Sequence, residues 1–254
     1  MKIFIITQDE PFYLYKNLKY LISLISNKEI SIVGCLVFKV SPFGKNENFI
    51  SKVFKTIKIF GIRFFIYYSF KYLKSIIIGT SIRNLLIKNN IKQISILGSI
   101  NNDNNLKLIK SFNPDLLVSI LGNQIFKKKL INLAPKGCIN LHTSLLPKYR
   151  GLMPTFWVLK NNEKFTGVSV FIVDEGIDSG PIIIQKKIKI ENYSQKNLIE
   201  ISKKIGMEAL AEAINLIYHD NVKLLPNDHR RKTYYSFPSK KDVLEFKKNK
   251  KKFY

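Results

Sequence analysis

Arginine is scarce in this chain. Of 42 cationic residues only five are arginine: Arg63, Arg83, Arg150, Arg230 and Arg231. Phosphate recognition favours the planar guanidinium fork, so the net charge of +24 is weak support for a dedicated nucleic-acid surface. Lys, Asn, Ile, Phe and Tyr all use A/T-rich codons, and a biased genome would spread Lys over tolerant surface. A functional basic surface stays open beside that reading, and the charge suits an anionic substrate better than a cationic one. Cysteine is nearly absent. Cys35 and Cys138 lie in apolar runs without metal-ligand spacing, which excludes a disulfide framework and a thiolate metal site. They are expected to be buried and reduced, in a cytoplasmic protein. Long uninterrupted apolar runs are also missing. The N-terminal run before Thr7 is too short for a signal peptide. The most hydrophobic stretch, residues 59–78, is broken by Arg63, Lys71 and Lys74 and makes a poor transmembrane span. Its aromatic density predicts burial, on the core or on a second subunit in a homodimer, with an interfacial helix as the alternative. No internal repeat is visible.

What is present is ordinary globular material. The chain is 46% hydrophobic and 24% charged, enough for one sizeable α/β domain with an appendage, or two small domains. Short apolar runs at residues 2–7, 30–38, 93–97, 116–121 and 137–142 read as strands. The 13–26 segment carries helical spacing. Residues 49–90 read as helix broken near Gly61 and Gly79, after Ser-Pro-Phe-Gly punctuation at 41–44. Residues 101–105 read as a polar loop, with short helices at 106–111 and 127–133. This alternation predicts an α/β fold, with a Rossmann-like, mostly parallel sheet and helices on both faces. Two further strands are expected at 166–173 and 182–190, then a long amphipathic helix over 195–219. The division expected is a catalytic domain over residues 1–190 and a short C-terminal helical and irregular extension over 191–254. The end after Leu225 reads as a solvated or frayed terminus.

One constellation carries chemistry. Gly137-Cys138-Ile139-Asn140-Leu141-His142 sets Asn140 and His142 two residues apart, on one face of a strand near its carboxyl end. A loop follows, Thr143-Ser144-Leu145-Leu146-Pro147-Lys148-Tyr149-Arg150-Gly151. Later, Asp174-Glu175-Gly176-Ile177-Asp178-Ser179-Gly180 puts three carboxylates in one turn. Asn can donate to an oxyanion, and His can donate or shuttle a proton. Taken alone, His142 reads equally as a structural histidine. No Ser or Cys nucleophile has an obvious base.

The stretches INLHTSLLPKYRG and DEGIDSGPII resemble the two motifs of the folate-dependent formyltransferase family in type, order and separation. The span from His142 to Asp178 is 36 residues, and the resemblance is strong over residues 90–190. It implies a Rossmann-like domain that takes a formyl group from 10-formyltetrahydrofolate, with Asn140, His142 and Asp178 catalytic and no metal. It also implies that backbone groups around Leu121, Gln124, Ile125, Phe126, Asp174 and Glu175 hold the pterin. Phe126 reads equally as core.

The acceptor amine is open among several classes. Phosphoribosylglycinamide enzymes carry a Gly-rich phosphate loop after the first strand. Here Thr7-Gln8-Asp9-Glu10-Pro11 has no glycine and two acids. Methionyl-tRNA enzymes share the YRG but carry a C-terminal barrel, whereas only 64 residues follow Ile190, so a barrel is expected to be absent or vestigial and tRNA is the less favoured partner. Sugar N-formyltransferases are similar in a T-Y-Y followed by a basic segment, here from Thr233. An amino sugar on a nucleotide is the leading acceptor, with Ser144, Tyr149, Arg150, Tyr234 and Tyr235 as candidate substrate contacts. The two tail tyrosines read equally as packing. A non-catalytic folate-binding relative is the alternative from another class, though intact Asn140, His142 and Asp178 argue against it.

Overall fold

The computed structural model describes residues 1–25, 29–39, 48–122 and 124–254. The punctuation at 41–44 lies outside them. The chain opens with β1 (Lys2–Gln8), α1 (Leu14–Leu24) and β2 (Ser31–Phe38). Three helices follow: α2 (Phe49–Phe60), α3 (Ile62–Ile78) and α4 (Ile82–Lys88). They part at Gly61 and Gly79, where the backbone turns to positive φ of 93° and 70°, as glycine allows at a helix end. Then come β3 (Gln93–Ile94), α5 (Asp103–Lys110), β4 (Leu116–Ile120), α6 (Lys128–Ile131) and β5 (Cys138–His142). Helix α5 begins inside the expected polar loop. Asn102 sits at its N-cap position and Asp103 lies in its first turn, so the polar residues start the helix rather than precede it. Strand β3 is shorter than expected because it pairs only with β2, at the sheet edge.

The second half contributes β6 (Arg150–Gly151), α7 (Pro154–Lys160), β7 (Phe165–Ile172), β8 (Ile182–Lys189), α8 (Gln195–Tyr218), β9 (Tyr234–Tyr235) and α9 (Lys240–Lys248). The main sheet has seven strands in the order β3-β2-β1-β4-β5-β7-β8. Strands β1 to β5 are mutually parallel, and β7 and β8 run antiparallel to their neighbours. The chain moves outward from β1 to β2 and β3, then returns to lay β4 on the other side of β1. That reversal opens a crevice at the strands' carboxyl ends.

Alternation along β1 feeds two apolar layers. Ile3 and Ile5 join Leu14, Leu18, Leu210 and Ala213 on one face. Phe4 and Ile6 join Leu106, Ile109 and Leu130 on the other. Both cysteines are fully buried and free. Burial alone pushes the Cys35 thiol up to about 12 and raises Cys138 further. Thiolate is the reactive form, so a chromogenic disulfide reagent should titrate neither thiol in the native protein and both after denaturation. Rapid native labelling would contradict this packing.

Two readings are corrected, the frayed C-terminal end and the burial of residues 59–78 on the core. The C-terminal end is not frayed. Ser239 and Asp242 form a reciprocal cap at the start of α9, and Phe246 and Phe253 are buried. Phe246 stacks on Phe156 at 4.9 Å and on Phe253 at 4.7 Å. The lysines of this segment point outward while Val243 and Phe246, three apart, form its inner stripe. Nor is the 59–78 stretch buried on the core. Phe60 is buried, but no residue of α3 is.

Candidate active site

Strand β5 brings Asn140 and His142 to the same face at the carboxyl edge of the sheet. His142 is buried, and its Nε2 lies 2.7 Å from the Tyr149 carbonyl oxygen. A carbonyl only accepts, so Nε2 carries a proton and donates it there. Tyr149 turns that carbonyl inward by adopting a left-handed backbone, φ 60°. Several contacts hold it so. Its N–H donates to Thr233 Oγ1 at 2.8 Å, its ring stacks on Tyr235 at 5.2 Å, and its hydroxyl donates to Glu163 at 2.7 Å. Burial pushes the Tyr149 phenol well above its ordinary range; the Asn161 amide opposes this and Glu163 reinforces it. The group therefore acts as a neutral donor.

The other ring nitrogen, Nδ1, faces Asp178 Oδ2 at 3.5 Å. That same oxygen accepts the Gly151 N–H at 2.8 Å. Asp178 itself has φ 48°, a conformation that Asp tolerates better than most residues. Gly151 has φ 92°, and a Cβ there would lie 2.3 Å from the Tyr235 carbonyl oxygen. Only glycine fits between β6 and β9 at this point. The Asn140 side chain is partly exposed and makes no hydrogen bond among the described residues, which leaves its amide open at the mouth of the site.

A shell of polar residues fixes the two loops. Arg150 is buried and donates to Asn227 Oδ1 at 2.7 Å. Asn227 donates in turn to the carbonyls of Asp178 and Gly180 at 3.0 and 2.9 Å. Burial pulls the Arg150 pKa down, while the carboxylates of Asp178 and Asp174 draw it back up. Ser144 is fully buried, its hydroxyl on the Lys148 carbonyl at 2.9 Å. Ser169 donates to the Ser144 carbonyl at 2.7 Å, and Gln185 donates to the Leu146 carbonyl at 2.7 Å. Bond Leu146–Pro147 is cis.

The candidate residues therefore separate by place. Asn140, His142 and Asp178 converge. Ser144, Tyr149 and Arg150 stand behind them, with side chains turned into the protein. Tyr235 is sandwiched between Tyr149 and Trp157, the latter at 4.7 Å. Tyr234 is 56% exposed at the rim, its ring beside Gly151. Gln124 reaches the 98–100 loop, accepting from Ile100 N at 2.8 Å, and Phe126 is buried in the second apolar layer. Ile125 is exposed, and Leu121 adopts φ 60°. Asp174 accepts from Gly176 N at 3.1 Å and from the Ser179 hydroxyl, and Glu175 is exposed. Sequence reasoning missed Ser169, Gln185, Asn227 and the hydroxyl of Thr233. Each works across a distance in sequence that carries no local signal.

The fold is thus a Rossmann-like sheet with Asn140, His142 and Asp178 gathered at its carboxyl edge. Residues 92–214 match the formyl transferase family, and the likeness to that family covers this segment. Methionyl-tRNA formyltransferase from Kosmotoga olearia is 38% identical over 149 residues, covering 58% of this chain and 47% of that protein. The chain spans about half the length of the curated relatives it matches, or less. Among solved structures, a sugar N-formyltransferase from a Shewanella species aligns with TM-score 0.62 at 18% identity, over 98% of this chain and 87% of that one. Phosphoribosylglycinamide formyltransferase from Anaplasma phagocytophilum aligns with TM-score 0.64 at 14% identity, over 94% and 99%. These two likenesses concern the fold.

Proposed function

We propose that this chain transfers the formyl group of 10-formyltetrahydrofolate to a primary amine, with Asn140, His142 and Asp178 as its catalytic groups. The observation that carries the reading is the His142–Asp178 pair, its ring clamped from behind by the Tyr149 carbonyl, beside the open Asn140 amide. Because Nε2–H is committed to that carbonyl, the reaction falls to Nδ1. The neutral amine attacks the formyl carbon, a C–N bond forms, and charge builds on the formyl oxygen. Asn140 Nδ2 and a proton on His142 Nδ1 donate to that oxygen. Asp178 takes the proton released by the amine, and that proton passes to the folate nitrogen as its bond to the formyl carbon breaks. Backbone groups near Leu121 and Asp174 would hold the pterin.

For the acceptor we favour an amino sugar on a nucleotide. The exposed ring of Tyr234 stands at the rim of the site, placed by the pairing of β9 with β6, and offers a stacking surface for a base. A phosphoribosyl acceptor is disfavoured. The helix N-terminus that would cradle its phosphate is filled by Glu10, which accepts the N–H groups of Phe12, Tyr13 and Leu14 at 2.9 to 3.0 Å. A second reading, transfer to methionyl-tRNA, is favoured by the identity to the tRNA enzymes. With a nucleotide-linked amino sugar, Tyr234→Ala should raise KM and leave kcat nearly unchanged, since base–aromatic stacking is worth about 1–3 kcal/mol. An unchanged KM would remove Tyr234 from the acceptor site, and turnover of methionyl-tRNA alone would select the second reading.

A further inference from the structure

Helix α3 turns its apolar stripe outward. Ile62, Ile66, Phe70, Leu73 and Ile77 recur at spacings of four and three and share one face. All five are exposed, Phe70 by 70% and Ile77 by 85%. The helix is nonetheless docked, by its other side. Phe64 packs on Phe60 and Phe253, Tyr67 stacks on Tyr254 at 4.1 Å, and the Lys71 ammonium sits 3.6 Å from the centre of the Tyr13 ring. Helix α2 also exposes Ile50 and Phe54. Five exposed apolar side chains along one helix face of a folded domain mark an interaction site.

Its charge says with what. From residue 48 to residue 102 the sequence contains nine Lys or Arg and no Asp or Glu. Exposed Arg63 and Lys74 flank the α3 stripe. Apolar side chains bordered by cations, with no acid among them, complement an anionic bilayer surface: the stripe enters the acyl boundary and the cations meet the headgroups. A second copy fits poorly, because a two-fold contact through this face would set the same cations against each other. Helix α3 has 17 residues, and no described helix is long and apolar enough to cross a membrane. We propose that helices α2 and α3 dock this protein on an anionic lipid surface, with α3 lying in the plane of the interface.

The test is flotation of the full chain with vesicles of phosphatidylglycerol and phosphatidylcholine, compared with phosphatidylcholine alone. The protein should float with the anionic vesicles, scarcely with the zwitterionic ones, and less as salt rises. Phe70→Gln with Ile77→Gln should weaken partitioning by at least about tenfold. These positions are exposed, so the melting temperature should not move. Arg63→Gln and Lys74→Gln should each weaken it by about fivefold, on anionic vesicles only. Absence of flotation, or flotation indifferent to lipid charge, would overturn the proposal. So would a dimer in sedimentation equilibrium that Ile77→Gln dissociates, since a second copy would then be the occupant.

Discussion

His142→Ala should lower formyl transfer by at least about 10²–10³-fold, the usual cost of one oxyanion donor. Asn140→Ala should fall in the same range. Asp178→Asn is the cleaner probe of the third residue. The amide oxygen can still accept from Gly151 N, so the loop keeps its anchor while the carboxylate charge is lost. The effects of His142→Ala and Asp178→Asn should overlap in the double variant, because the two groups act as one unit. His142→Ala has a structural cost as well. It takes the 2.7 Å donor from the buried Tyr149 carbonyl and leaves only the long contact from the Ser144 hydroxyl at 3.4 Å, a loss of about 1–3 kcal/mol. Steady-state rates must therefore be read beside melting temperatures. If folded His142→Ala kept more than about a tenth of wild-type turnover, where a lost donor costs 10² or more, this assignment of roles would be wrong.

Phe246→Ala should destabilise the protein by about 3–5 kcal/mol, the range for truncating a fully buried aromatic. Phe246 is completely buried and stacks on both Phe156 and Phe253. The loss should reach the active site. The chain leading into α9 carries Thr233, whose hydroxyl accepts from Tyr149 N, and β9, which fixes Arg150 and Gly151. Denaturant melts should show the lower midpoint, and turnover should fall once β9 loosens. An unchanged midpoint would mean that the C-terminal segment adds nothing to the fold.

These two experiments address parts of the molecule that were unequally legible in the sequence. Strands β1, β2, β4 and β5 announce themselves because a parallel strand covered on both faces is a continuous apolar run. Gly61 and Gly79 mark the helix breaks because a positive φ selects glycine. Asn140 and His142 share a face by strand alternation alone. What was hidden depends on contact between distant segments. The pairing of Arg150 with Tyr234 across 84 residues leaves no local pattern. Neither does the bond that Arg150 donates to Asn227. Helix α9 was masked because lysine dominates its sequence while two residues, Val243 and Phe246, bury it. The 59–78 stretch misled in the opposite direction: its apolar residues lie on both sides of α3, and one of those sides faces out.

The orientation of His142 is also a structural result. The sequence motif suggests that Asp178 holds the imidazole, but the shorter contact is to the Tyr149 carbonyl, at 2.7 Å against 3.5 Å. The YRG segment thus does two things. Its tyrosine carbonyl aims the ring, and its glycine N–H aims Asp178.

Mass spectrometry of a single reaction tests the central claim most directly. Purified chain is incubated with 10-formyltetrahydrofolate and a panel of amines: nucleotide-linked amino sugars, methionyl-tRNA and glycinamide ribonucleotide. The account predicts that one amine, foremost a nucleotide-linked amino sugar, gains the mass of a formyl group while the folate loses it, and that Asn140→Ala abolishes the gain without unfolding the protein. Folate bound with no amine formylated, or formylation that survives Asn140→Ala undiminished, would contradict it.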